Sequence, residues 1–330
     1  MTIRAIIDIL TQWAPLCYAE DFDNVGLLTG SANQPCKGVL ITLDTLEPVV
    51  DEAIASGCNL IVSFHPILFK GLKKITGDDY VQRTILKAIK HDIAIFAIHT
   101  ALDNHQNGVN AAIAERLQLQ STKILVPKKG TIKRLVTYVP KENEKKVLEA
   151  LYEAGSGALG NYDQCSFVTE GFGSFRGNEK SNPSLGQQME KTIVEEKQIQ
   201  VIFLAHQEKQ ILNSLRSAHP YETVAYEIIS TDNENPDIGM GKVGTLKKPM
   251  SGQEFLSFVK KQMQTPMIRY SRLNSKPIQK VAVLGGSGSF VISEAKRSNA
   301  DALVTADLKY HDFFQAEDQL LLVDIGHFES

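Results

Sequence analysis

One stretch decides how the chain is interpreted: Leu60-Ile61-Val62-Ser63-Phe64-His65-Pro66. It begins as a short apolar run that is typical of a fully buried strand, and Pro66 ends the run. His65 therefore lies just past a predicted parallel strand, at the position where open α/β sheets bind their ligands. A lone histidine at a strand end is more often part of a turn, so its meaning depends on the other strand ends.

Two further apolar runs end in the same way. Ile93–Ile98 leads into a polar segment that contains Asp103, and Leu320–Val323 leads to His327. Because the carboxyl ends of parallel strands meet at one edge of a sheet, we expect these two side chains to gather beside the histidine of the first stretch. Three converging strand ends favour a metal site or an acid–base site.

The predicted metal ligands are His65, Asp103 and His327. Two imidazoles and a carboxylate suit zinc, iron, manganese or nickel, and the set lacks the soft sulfur that selects copper(I). An imidazole that binds a metal through one nitrogen usually donates its other N–H to an acceptor. Three carboxylates just past predicted strands are candidates for that role: Asp44, Asp307 and Asp324.

Two other histidines are candidates for catalytic roles. His99 ends a buried strand, which indicates either a hydrogen-bonded histidine behind the site or a proton shuttle. His311 follows Asp307-Leu308-Lys309-Tyr310 and is placed to contact a substrate. The Gly-rich turn Gly285–Ser289 offers N–H groups to an anion such as phosphate, or is simply a tight strand–helix turn. It does not match a dinucleotide fingerprint, because Val291 occupies the third glycine position.

Composition excludes several classes of protein. The net charge of −3 gives no reason to expect nucleic acid or an anionic membrane surface as a partner. No apolar run approaches the roughly 20 residues that span a bilayer. The four cysteines are scattered without a CxxC pair, which indicates reduced thiols in a cytoplasmic protein.

The pattern of elements predicts an α/β protein with an insert. Strand–helix alternation in the first 127 residues predicts parallel strands, and it resumes near residue 241. Between them, residues 128–240 alternate like antiparallel strands around two helices, which is typical of a ferredoxin-like α+β domain. Within this segment, the strand Cys165–Glu170 is followed by a Gly-rich polar stretch from Gly171 to Gly186. We therefore expect three parts: 1–127, 128–240 and 241–330.

A set of motifs across the whole chain resembles the Nif-three-like family of dinuclear-metal-centre proteins, many of which are named GTP cyclohydrolase I type 2 homologues. The insert is similar to the PII/CutA-like domain of longer members. The motifs are Asp23-Asn24-Val25-Gly26-Leu27, His65-Pro66, His99-Thr100-Ala101-Leu102-Asp103-Asn104, Gly285-Gly286-Ser287-Gly288, Thr305-Ala306-Asp307-Leu308-Lys309-Tyr310-His311 and Gly326-His327. The resemblance implies a two-lobed α/β/α core, two divalent metals between the lobes and a toroidal homo-hexamer.

The ligand set that the resemblance implies is incomplete in this chain. The family has two adjacent histidines, an aspartate, and a histidine followed four positions later by glutamate. His65, Asp103 and His327 match, but Phe64 replaces the first histidine and the glutamate position falls beyond Ser330. We therefore expect at most one metal ion per subunit, and a natural chain that is longer.

Two functions follow as expectations. The first is a metal-dependent hydrolase that acts on a small, nucleotide-like substrate. The alternative is a hexameric metal-binding scaffold or regulatory protein without turnover, in which the insert senses a small ligand. In both cases the expected partners are a small molecule and further copies of the chain, with no nucleic acid and no membrane.

Overall fold

The computed structural model describes all residues from Met1 to Ser330 and divides them into two compact units. The first unit combines Met1–Lys128 with Pro236–Ser330, and the second is Lys129–Asn235. The elements before the second unit are α1 (Ile3–Trp13), β1 (Gly26–Thr29), β2 (Val39–Thr42), α2 (Glu47–Ser56), β3 (Leu60–Ser63), α3 (Tyr80–Lys90), β4 (Ala94–Ala97), α4 (His99–Asp103), α5 (Val109–Arg116) and β5 (Gln120–Lys128).

The first four strands form a sheet in the order β1-β4-β3-β2. β2, β3 and β4 are parallel, and β1 runs antiparallel to β4 along the edge. Every residue of β3 and β4 is buried. That is the expected burial for parallel strands covered by helices on both faces, and it explains their continuous apolar sequences. The predicted βαβ connection between β2 and β3 is present, and Gly57, with φ of 72°, caps the C-terminus of α2.

The second unit is an antiparallel sheet with two helices. Its elements are β6 (Ile132–Pro140), α6 (Glu144–Glu153), β7 (Ser166–Arg176), β8 (Lys191–Leu204), α7 (Glu208–Ala218) and β9 (Tyr226–Ser230). The strand order β7-β8-β6-β9, with a helix after β6 and after β8, is the connectivity of a ferredoxin-like domain. The likeness of this unit to PII/CutA-like domains stays a prediction.

The hairpin of the second unit is longer than predicted. We expected the strand to stop at Glu170 and a polar stretch to follow, but β7 continues to Arg176 and pairs with β8 along its whole length. Glycines in this strand were misleading, because they lowered the apparent strand propensity. Gly173 lies against the side chain of Glu196 on β8, where a Cβ atom would collide with it.

The chain then returns to the first unit and completes a six-stranded sheet. Its elements are β10 (Asn235–Met250), α8 (Gly252–Gln262), β11 (Arg269–Tyr270), β12 (Ile278–Ser287), α9 (Ile292–Arg297), β13 (Ala302–Ala306) and β14 (Leu321–Asp324). The strand order is β11-β14-β13-β12-β10-β5, with β12, β13 and β14 parallel. The α/β class is confirmed. None of the helices has both the length and the apolar character that crossing a bilayer requires.

Candidate metal centre

Two imidazoles from distant parts of the chain face each other in the first unit. The Nε2 atoms of His65 and His327 lie 3.3 Å apart, although 262 positions separate the two residues. His65 follows β3 of the four-stranded sheet, and His327 follows β14 of the six-stranded sheet. The expectation of a single sheet edge was therefore wrong: strands of two sheets deliver the pair, because the first unit holds two separate parallel sets.

Each of these imidazoles is held by a carboxylate from the neighbouring parallel strand. His65 Nδ1 lies 2.8 Å from Asp44 Oδ1, and Asp44 follows β2, the partner of β3. His327 Nδ1 lies 2.6 Å from Asp307 Oδ2, and Asp307 follows β13, the partner of β14. A carboxylate at Nδ1 fixes the orientation of the ring and leaves Nε2 as the nitrogen that faces the site.

The third predicted acceptor has a different role. The carboxylate of Asp324 is buried, forms an ion pair with Arg269 and accepts the N–H groups of Leu308 and Gly326 at 3.0 and 3.1 Å. Asp324 therefore shapes the turn that leads to His327, and it does not hold an imidazole.

The environment favours the neutral form of His65. Burial lowers the pKa of His65, the Asp44 carboxylate acts in the opposite direction, and the nearby His99 and His327 lower it further. The net result is a pKa below the usual value for histidine. A neutral imidazole is the form that binds metal ions.

His99 forms a third imidazole–carboxylate pair beside the first two. Its Nδ1 atom lies 2.8 Å from Asp23 Oδ1, and its ring centroid lies 5.3 Å from that of His65. Asp23 also accepts the backbone N–H and the hydroxyl of Thr100. Burial raises the pKa of Asp23, but these hydrogen bonds outweigh it and hold the pKa below its ordinary value. The backbone φ of 27° at His99 is unusual for a residue with a side chain, and such strain concentrates at functional sites.

Asp103 lies at the end of α4, close to the imidazoles. Burial raises the pKa of Asp103 to about 7; the charges of His99 and His327 lower it and that of Asp23 raises it. The charge of the Asp103 carboxyl group therefore interacts with two of the imidazoles, those of His99 and His327. It forms no hydrogen bond with either imidazole.

The remaining predicted features lie apart from the imidazole pair or are already engaged. The ring of His311 contacts Tyr310 and Phe314. In the Gly-rich turn, the N–H groups of Gly285, Gly286 and Gly288 donate to Asn110, Ser330 and Ala306. These N–H groups are therefore not free for phosphate, which favours the interpretation of this segment as a tight turn.

Phe64 lies beside two of the imidazoles. Its ring centroid is 4.9 Å from that of His65 and 5.5 Å from that of His99. The rings of Phe64 and His99 are nearly perpendicular. Phe64 also packs against the core that contains Ile3, Leu60 and Phe96. An apolar ring therefore occupies the position at which the resemblance implies a ligand.

A cavity of about 350 Å³ opens beside His65 and Asp44. It is lined further by Phe69, Lys70 and Tyr80. This volume is at the lower end of the range for small-molecule pockets. The loop at residues 69–72 thus contributes to a cavity at the site.

The donor set fits a divalent metal as a pair of ligands. Two imidazole nitrogens bound tetrahedrally to Zn²⁺ at about 2.0–2.1 Å are about 3.3 to 3.4 Å apart, which matches the Nε2 separation of His65 and His327. As the side chains stand, no group of three or more His, Cys, Asp or Glu residues is positioned to hold a metal ion. A third protein ligand would require a side-chain movement.

The fold and the site define a class of protein: an α/β protein in which strands of two sheets present a histidine pair, each member held by a carboxylate from the neighbouring strand. The sequence model of the Duf34/NIF3 (NGG1p interacting factor 3) family matches residues 1–330, and the chain belongs to this family. The predicted resemblance is confirmed.

Relatives and solved structures agree with this assignment. A Bacillus subtilis protein named GTP cyclohydrolase 1 type 2 homolog is 42% identical over 330 residues, which cover 98% of this chain and 88% of the relative. The crystal structure of a Bacillus cereus protein related to NIF3 superposes with a TM-score of 0.85 at 38% identity, covering 100% of this chain and 89% of the other. A Staphylococcus aureus protein, SA1388, gives a TM-score of 0.76 at 31% identity, with 100% and 88% covered.

Proposed function

We propose that this protein binds a divalent metal ion through the Nε2 atoms of His65 and His327. The observation that carries the proposal is the facing pair of nitrogens at 3.3 Å, each ring fixed through Nδ1 by a carboxylate. Because both Nδ1 atoms bond to carboxylates, the Nε2 atoms of the two neutral imidazoles are both acceptors, and a bound cation would compensate for their close approach. The imidazole donors suit zinc, iron, manganese or nickel.

Asp103 is the proposed third ligand. Its side chain is half-buried, its charge interacts with those of His99 and His327, and it forms no side-chain hydrogen bond with either. Partial desolvation of a carboxylate without an ion-pair partner is costly, and a cation in the site would compensate for it. Together with the replacement at Phe64, this set supports a single metal ion per subunit.

The reaction class that we propose is hydrolysis of a small, nucleotide-like substrate. A bound divalent metal would act as a Lewis acid and activate water for attack. His99, oriented by Asp23, is the proposed proton acceptor, because its ring lies beside His65 and its Nδ1 atom is occupied. The cavity beside His65 would hold the substrate, and His311 remains a predicted substrate contact.

Metal binding is tested with the purified protein. Zn²⁺ and Mn²⁺ affinities are measured by calorimetry for the parent, His65→Ala, His327→Ala and the double variant, with His91→Ala as an exposed control. We expect each single variant to lose at least tenfold in affinity, and the double variant to lose little more than either single one, because both side chains hold the same ion. Unchanged affinity in both single variants would contradict the proposal.

A second function is favoured by Phe64. An apolar ring in place of a ligand supports the alternative of a metal-binding scaffold or regulator without turnover. GTP turnover by metal-loaded protein, measured before and after chelation, separates the two. Turnover that needs the metal supports the hydrolase, and metal binding without turnover supports the scaffold. The homo-hexamer is proposed from the family resemblance, and light scattering of the purified protein tests it.

A further inference from the structure

A second cavity lies entirely within the second unit, on the antiparallel sheet. Its volume is about 1020 Å³, and the walls come from β7, β8 and the turn that follows α7. Such a volume is at the upper end of the range for small-molecule sites. The aromatic residues of its lining are Tyr138, Phe172, Phe175 and Tyr221.

The floor of this cavity carries an uncompensated carboxylate. Glu196 is only 9% exposed, and no lysine or arginine forms an ion pair with it. Its Oε1 atom accepts the Tyr221 hydroxyl at 2.9 Å, and its Oε2 atom forms no hydrogen bond. The other carboxylates of the lining are engaged: Glu170 pairs with Lys197, and Glu222 accepts the N–H of Asn182. A buried charge without a countercharge is costly, so a cation bound beside Glu196 would stabilise this carboxylate.

Two neighbours keep the Glu196 carboxylate in place. Burial, and then the Glu196 carboxylate, raise the pKa of Tyr221, so its hydroxyl stays a donor. Gly173 on the paired strand leaves the space that the carboxylate fills, since a Cβ atom there would lie 1.8 Å from Oε2. The turn that carries Tyr221 is fixed by His219, whose ring accepts the Tyr221 N–H at 3.1 Å and bonds Tyr138 O at 2.8 Å.

The cations of the lining do not neutralise this carboxylate. Arg176 is exposed and donates its Nε–H to Met189 O at 2.9 Å, and Lys180 is exposed without an ion pair. The lining therefore supplies no countercharge for Glu196, and a cationic ligand in the cavity would supply one. A planar guanidinium suits the lining best, because it pairs with a carboxylate through two N–H groups and stacks on aromatic rings. The Tyr221 ring, 5.8 Å from that of Phe175, provides such a surface beside Glu196.

We propose that this cavity binds a small molecule that carries a guanidinium group, with Glu196 as the carboxylate that recognises it. The site is separate from the imidazole pair and belongs to a unit that the metal proposal does not use. The protein would then have a ligand-binding function in addition to the metal centre.

Calorimetry on the full chain tests this proposal with L-arginine, and with L-citrulline as the neutral analogue of the same shape. L-Lysine carries the same charge without the planar group. We expect arginine to bind at least tenfold more tightly than either. Binding of citrulline or lysine with equal affinity, or no binding of arginine, overturns the assignment. These comparisons use the parent protein and do not depend on how a variant folds.

Variants then locate the site. Glu196→Gln and Gly173→Ala should each lower arginine affinity at least tenfold, the first by removing the charge and the second by displacing the carboxylate. Glu195→Gln is the matched control on the same strand, since Glu195 pairs with exposed Lys141. His65→Ala should retain arginine binding, so that failure of the metal proposal is distinguishable from failure of this one. Full affinity in Glu196→Gln would place the arginine elsewhere.

Discussion

The Nε2 atoms of His65 and His327 lie 3.3 Å apart, and each imidazole is held by a carboxylate from its own sheet. In both cases the carboxylate follows one parallel strand and the imidazole follows the next. The two halves of the first unit therefore hold their histidines with equivalent strand–helix–strand arrangements. We propose that the metal centre forms where these two arrangements meet.

The carboxylates behind the imidazoles should control metal affinity without binding the ion. Asp44→Asn and Asp307→Asn remove the charge that orients the rings, and we expect each to lower Zn²⁺ affinity by about 10 to 100-fold. Competition with a chelator of known affinity measures the change. Asp51→Asn is the control, because Asp51 pairs with Lys87 on the surface. Affinities equal to the control would show that the carboxylates have only a packing role.

Phe64 should limit how much metal the protein holds. Phe64→His adds an imidazole beside His65 and His99, so we expect the variant to bind more metal per subunit than the parent. Elemental analysis after loading and desalting measures the content. Phe64→Leu, which changes the volume but adds no donor, should match the parent. Equal metal content in the two variants contradicts the ligand assignment at this position.

Asp301 should stabilise the second half of the first unit in a pH-dependent way. It accepts the N–H groups of Gln279 and Lys280 at 3.0 and 2.8 Å and pairs with Lys276 at 2.6 Å. We expect Asp301→Asn to lower the free energy of unfolding by about 1 to 3 kcal/mol at pH 7. Urea unfolding measures the loss, with exposed Asp318→Asn as the control.

The pH dependence of this effect has a definite sign. Burial raises the pKa of Asp301, but the hydrogen bonds and Lys276 outweigh it, so the folded pKa lies below the ordinary value of 3.8. The stabilisation is therefore complete above the unfolded pKa, near 4, and is lost as pH falls through the folded pKa. The difference between the parent and Asp301→Asn should shrink below pH 4. A difference that grows on acidification would contradict the assignment.

The N-terminus of α8 should depend on its capping residues. The Ser251 hydroxyl accepts the Glu254 N–H at 3.3 Å, and the Glu254 carboxylate accepts the Ser251 N–H at 2.8 Å. We expect Ser251→Ala to lower the free energy of unfolding by about 1 kcal/mol. Ser257→Ala, at an exposed position inside the same helix, is the comparison in urea unfolding. The capping role is refuted if both substitutions have the same effect.

The central strands and the two histidines of the candidate site could be predicted from the sequence. β3, β4, β13 and β14 are apolar runs because they are buried on both faces, and their ends carry the polar residues of the site. Asp44 and Asp307 were recognisable as acceptors for the same reason, since each directly follows a strand.

The rest depended on contacts that no local pattern encodes. The strands β1, β5 and β10 were not predicted, because their pairing is with strands far along the chain. The contact between Asp23 and His99 was not visible in the sequence, since the two residues are 76 positions apart. The meeting of two sheets at the imidazole pair was also missed, because strand periodicity defines one sheet and does not say how two sheets face each other.

The division of the first unit into two segments has a consequence for biosynthesis. His65 and His327 are 262 positions apart in the sequence. Because the ribosome adds about 5–20 residues per second, His327 emerges roughly 13 to 50 seconds after His65. Throughout that interval the nascent chain carries only half of the imidazole pair. We therefore expect the metal to bind late, after His327 has emerged. Zinc supplied during translation should accelerate neither the release of the chain from the ribosome nor the folding of its first 128 residues.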